Sequence, residues 1–97
     1  MIDKVRGNEL MDAYGSLLTR RQQEILYLYF EEDFSYYEIS EDLDISRAAV
    51  MDAVHKGCKQ LEKFEENIGY IKKRHQILAL CEEYKDEKVT TKIKEIV

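Results

Sequence analysis

Apolar residues recur at helical spacing along nearly the whole chain and divide it into a series of amphipathic helices. Leu10, Ala13, Tyr14, Leu17 and Leu18 keep one face over about residues 8–18 and predict a first helix. Thr19 followed three residues later by Gln22 forms a capping box, in which each side chain bonds the other's backbone amide. A second helix therefore opens at Arg20 and runs to about Glu32, with Ile25, Leu28 and Tyr29 as its inward stripe. Ser35 with Glu38 repeats the device and opens a short helix to about Leu43, with Ile39 and Leu43 on one face. The period breaks at Asp44 and Ile45, and Ser46 is placed to cap a further helix whose inward positions are Val50, Ala53, Val54, Gly57, Cys58 and Leu61.

Beyond this the spacing tightens to a heptad: Leu61, Phe64, Ile68, Ile71, His75 and Leu78 step by 3, 4, 3, 4 and 3. Such a seam needs another helix, either the chain's own first helix or that of a second copy, and a homodimer is the expectation. Gly69 could end a helix or only weaken one, by about 1 kcal/mol. Because the phase continues across it, the pattern predicts a long, kinked helix to about Tyr84. Asp86 can cap a last short helix whose apolar side is Val89, Ile93, Ile96 and Val97. The whole is an all-α single domain, 1–97, with a head over 8–66 and a C-terminal helical extension over 67–97. The absence of Pro and the presence of only 4 Gly agree with this.

The segment Ser35 to Val50 carries the clearest constellation: two capped helices, apolar Ile39, Leu43, Ile45 and Val50 at their crossing, small Ser40 at the close approach, and a tight turn at Asp44. A left-handed backbone is needed at that turn, and Asp tolerates it better than most residues. The spacing fits a helix-turn-helix better than an ordinary helical hairpin.

The stretch Leu18 to Leu61 resembles region 4 of the bacterial sigma-70 factors, whose recognition helix also starts after a Ser-Arg pair and keeps Val where Val50 stands. A closer resemblance, over about residues 8–80, is to the YlxM family of small bacterial proteins. It is carried by Tyr14-Gly15-Ser16-Leu17-Leu18-Thr19, by Ser46-Arg47-Ala48-Ala49-Val50 and by Leu61-Glu62-Lys63-Phe64-Glu65-Glu66. What the resemblance implies is a dimeric all-α helix-turn-helix protein. Members are encoded beside the signal recognition particle GTPase and its receptor, so it also implies a regulatory role in that pathway through contact with the particle's protein or RNA.

Charge changes how the recognition helix is read. The formal net charge is -5, and a domain that grips nucleic acid usually carries a basic footprint. Residues 34–66 hold four basic and eight acidic side chains, whereas residues 67–97 hold seven basic and five acidic. The face expected to meet nucleic acid or a partner comprises Ser46, Arg47, Ala48, Met51, Asp52, His55, Lys56 and Lys59. Of the outward positions carried over from the sigma pattern, Arg47, Ala48, Met51, Asp52 and His55, only Arg47 is a strong donor. The sigma motif commonly has charged or amide side chains where this sequence has Ala48, Ala49 and Met51, and Asp52 has the wrong sign for phosphate. DNA is thus weakly supported, although Lys56, Lys59 and Lys63 could add to one side of the helix. Lys72-Lys73-Arg74 could meet RNA or an acidic protein, or be a plain solvated face, and an outward Tyr36 could stack at a binding surface.

Other chemistry finds little footing. The sequence has no phosphate-cradling glycine loop and no nucleophile elbow, so no enzyme and no cofactor is expected. His55 and Cys58 stand three apart but lack two further ligands for zinc, and no metal is expected. Cys58 and Cys81 read as free thiols. The N-terminus has no apolar signal region, and the longest apolar run, Ile25 to Phe30, is too short to span a bilayer; a cytoplasmic protein that avoids membranes is the expectation.

Overall fold

The computed structural model describes residues 2–97, and among them every regular element is helical. Helix α1 is Lys4–Tyr14, followed by a 3-10 turn at Gly15–Leu17; α2 is Arg20–Leu26, continued by a π turn at Tyr27–Glu31. Next come α3, Tyr36–Leu43, α4, Arg47–Ile68, α5, Tyr70–Tyr84, and α6, Glu87–Ile96.

α1 begins four residues earlier than its apolar pattern suggested, because Asp3 caps it by accepting from the Arg6 amide at 2.8 Å. Gly7, which pattern alone would leave outside the helix, lies within it because of packing: a Cβ there would come within 2.1 Å of the Phe30 ring. The first helix also ends sooner than expected, at Tyr14 rather than Leu18, since Leu18 must be extended to lead into the Thr19 cap.

Both capping boxes form as the spacing requires, at Thr19 with Gln22 and at Ser35 with Glu38. The second helix departs from its expected regularity in its last turn. There Glu32 N–H bonds the Tyr27 carbonyl at 3.1 Å, widening the coil and turning Phe30 into the core. Side chains of α1 take up carbonyls at this end: Asn8 donates to Phe30 O at 3.0 Å, and the Lys4 ammonium donates to Tyr29 O.

α4 is the central element and packs against α1, α2, α3 and α5. Leu10, Leu26, Ile39, Val50, Val54 and Leu61 are the largest fully buried side chains, so every element of the head reaches one core. Gly57 lets α2 approach closely, for a Cβ there would lie 2.6 Å from Leu26 Cδ1.

The long kinked helix expected through Gly69 is replaced by two helices. Gly69 takes φ +71°, a left-handed conformation that ends α4, and its amide bonds Glu65 O at 2.8 Å. Gly69 has no side chain with which to cap α5, and Glu65 does so instead. Its carboxylate accepts from the Ile71 amide at 3.0 Å, the Lys72 amide at 3.1 Å and the Tyr14 hydroxyl, while that hydroxyl accepts from Tyr70 N–H at 3.2 Å. α5 and α6 then form a hairpin through Lys85 and Asp86, which caps α6 as its sequence implied. The chain extends 52 Å in its longest dimension, and its radius of gyration of 16.3 Å exceeds the ~12–13 Å of a compact chain this long.

Candidate functional site

The helix-turn-helix is built from α3, a left-handed Asp44 at φ 54°, and the first half of α4. Ser40 is buried at the crossing, where its hydroxyl donates to Tyr37 O at 2.7 Å, and the Ile45 amide bonds Ser40 O at 3.1 Å. Ser46 caps α4 by accepting from the Ala49 amide at 3.0 Å. Ile39 and Val50 are fully buried between the two helices, and Leu43 and Ile45 are half-buried beside them.

This frame leaves all the expected face residues exposed: Ser46, Arg47, Ala48, Met51, Asp52, His55, Lys56 and Lys59. Two of the cations are already engaged. The Arg47 guanidinium lies 5.2 Å from the centre of the Tyr37 ring, and Lys56 pairs with Asp52 one turn before it at 3.0 Å. Lys59 and Lys63 lie with Glu62 and Glu66 along a shallow depression that also touches His55 and Cys58.

The aromatic residue of this face is Tyr37, not the neighbouring Tyr36. Tyr36 is half-buried, with its ring stacked on Tyr29 at 5.3 Å; burial, then its interaction with Tyr29, pushes its hydroxyl up to about 12. A signal for this was present in the sequence, because Tyr36, Ile39 and Leu43 fall at i, i+3 and i+7. Cys58 is buried in the core, and burial pushes its thiol up to about 11, which keeps it protonated and inert at neutral pH. Both cysteines are free. Among the described residues no group of three or more His, Cys, Asp or Glu side chains is placed to hold a metal ion, and no helix is long and apolar enough to cross a membrane.

The heptad positions are divided by the break at Gly69. Leu61 and Ile71 are buried in the head's own core, and Phe64 packs its ring 6.1 Å from that of Tyr14 in α1. His75 is exposed, with Nε2 against the Glu9 carboxylate of α1. Ile68 is 57% exposed and Leu78 is half-buried. In the basic cluster, Lys72 and Lys73 are exposed, while Arg74 donates from Nε to Val97 O at 3.2 Å.

Glu65 is the positioning residue that the pattern did not single out. It holds the start of α5 against the head at 9% exposure. Burial alone would raise its carboxyl, but the Tyr14 hydroxyl, the amides of Ile71 and Lys72, and the charge of Arg6 outweigh burial and hold it below the ordinary 4.5. Its position is legible in retrospect: a charge in line with Val54, Cys58 and Leu61, four residues before a glycine that cannot cap.

The family model described as "Putative helix-turn-helix protein, YlxM / p13 like" (UPF0122) matches residues 1–97. Among relatives, a UPF0122 protein of Caldanaerobacter subterraneus subsp. tengcongensis is 44% identical over 77 residues, which cover 79% of this chain and 66% of that protein. One of Halalkalibacterium halodurans is 40% identical over 95 residues, 94% of this chain and 87% of the relative. One of Acetivibrio thermocellus is 48% identical over 64 residues, 66% of this chain and 55% of the relative. The resemblance that the motifs carried thus extends along the whole chain, and the protein belongs to the UPF0122 family of YlxM/p13-like helix-turn-helix proteins.

Proposed function

We propose that this is a non-enzymatic regulatory protein of the cytoplasm, acting in the signal recognition particle pathway by contact of its helix-turn-helix with that particle's protein or RNA. The observation that supports it most is the outward face of the first turns of α4. Ala48, Met51 and Asp52 occupy positions where a duplex reader needs donors, and Lys56 is held by Asp52. The YlxM resemblance supplies the pathway.

The second reading is a transcription regulator that binds DNA as a homodimer. It draws on the complete helix-turn-helix geometry and on exposed Arg47 at the start of α4. Titration against genomic DNA fragments, and against purified particle RNA and GTPase, at several salt concentrations separates the two. The first reading expects binding to a particle component and only weak, unselective DNA binding. Tight, sequence-selective DNA binding that is lost in Arg47→Ala would replace it with the second.

A further inference from the structure

The helix-turn-helix surface combines a cluster of exposed anchor side chains with an acidic rim. At its centre are Tyr37 and Met51, large side chains left 53% and 44% exposed, with Arg47 between them in sequence and its guanidinium carbon over the Tyr37 ring, 5.2 Å from the ring centre. Met51 is four residues after Arg47 on α4, so the two share a side of that helix. Tyr, Met and Arg are the residue types enriched in the cores of protein interfaces, and Tyr and Arg recur as their energetic anchors. An Arg held over a Tyr ring is also partly preorganised, which lowers the ordering cost of binding.

Around this centre the charge is negative. Glu41 is one turn after Tyr37 on α3, Asp44 fills the left-handed turn ahead of α4, and Asp52 follows Met51; all three are exposed. Lys56 offsets Asp52, but among the described residues Glu41 and Asp44 form no ion pair. Duplex DNA carries a negative charge about every 1.7 Å of its axis, and an unpaired strand also runs phosphates along its length, so either would bring like charges onto this rim. A protein segment with apolar side chains at its centre and Lys or Arg at its edges would satisfy both features.

We propose that the helix-turn-helix of this protein is a protein-docking surface: Tyr37, Arg47 and Met51 receive the apolar face of a cationic amphipathic segment, whose basic edges meet Glu41 and Asp44. This deepens the reading above and rests on its premise that the helix-turn-helix is the contact surface, committing that surface to protein rather than RNA. The attraction between such exposed charges is screened by salt, so affinity falls as ionic strength rises.

The test uses the full chain, isotope-labelled, titrated with an 18-residue amphipathic Leu/Lys helical peptide. Comparison probes are a peptide of the same composition in scrambled order, a mixed-sequence DNA duplex and a single-stranded RNA. The expected result is amide shifts concentrated between residues 37 and 52 with the amphipathic peptide, and an affinity about tenfold lower in Tyr37→Ser and in Met51→Ser. Both side chains are exposed, and an unchanged thermal midpoint verifies that the variants fold. Shifts that fall on α5 and α6 or spread over acidic residues elsewhere overturn the proposal. So does equal affinity for the scrambled peptide, tighter binding of either nucleic acid at residues 37–52, or peptide affinity indifferent to Tyr37→Ser. The pathway reading fails separately: binding of neither particle component sinks it while peptide docking stands, whereas GTPase binding indifferent to Tyr37 and Met51 keeps the pathway and sinks this docking surface.

Discussion

Glu65 shows how one side chain can join two helices that sequence periodicity runs together. A carboxylate at 9% exposure would be costly if isolated, but this one accepts from two amides and the Tyr14 hydroxyl and so replaces the cap that Gly69 cannot provide. Because its pKa is lowered on folding, the stabilisation is fully present above the ordinary 4.5 and is lost as pH falls through the lower folded value. Glu65→Gln is expected to cost about 1–3 kcal/mol at pH 7, since an amide cannot accept from all three donors and brings donors of its own. Urea midpoints measured at pH 7 and at pH 3 should show the gap between wild type and variant narrowing in acid. A gap that does not change with pH would assign the loss to packing rather than to charge. Tyr36 and Tyr37 teach the complementary lesson: adjacent and chemically identical, they differ because only Tyr36 is in register with Ile39 and Leu43.

At the scale of elements, the caps were legible and the helix ends less so. Thr19, Ser35, Ser46 and Asp86 all cap as their spacing implied, because an N-cap is a local bond between a side chain and an amide two or three residues on. The Asp3 cap that starts α1 is equally local, and an apolar period followed only from Leu10 misses it. The π turn that ends α2 was not legible, since it depends on α1: Phe30 occupies the space above Gly7, and Asn8 satisfies the carbonyl of Phe30. Gly7→Ala isolates this dependence. The substitution gains about 1 kcal/mol of helix propensity, yet a Cβ 2.1 Å from a buried ring should cost more, for a net loss of roughly 1–2 kcal/mol. Thermal melting should then fall by about 4–16 °C. A variant more stable than wild type would mean that propensity, not the Phe30 contact, governs this turn.

At the scale of the molecule, the break at Gly69 redistributes the heptad positions. Leu61 and Ile71 serve the head's own core, whereas Ile68 faces outward and is the most exposed apolar position of the seam, which a second chain could reach. If the homodimer proposed with the DNA-binding reading forms through this seam, Ile68→Asp should shift sedimentation from dimer to monomer without lowering the monomer's stability. Ile71→Asp would be uninformative there, because it places a charge in the core. Charge has the same double character. The counts along the chain marked residues 34–66 as acidic, but the fold decided that Asp52 holds Lys56 and that Tyr37 holds Arg47, leaving few free cations on the reading face. The amino-acid sequence alone determined the all-α class, the helix-turn-helix and the capped starts of α2, α3, α4 and α6, because periodicity and capping act over spans of three to seven residues. Only tertiary structure decided that α4 stops at Gly69, that Glu65 ties α5 to the head, and that Tyr37 rather than Tyr36 faces out beside Arg47. Apart from the places of Tyr36 and Glu65, which the period could have given, these outcomes depend on which side chains, distant in sequence or on separate helices, come within bonding distance, and a one-dimensional pattern carries no such distances.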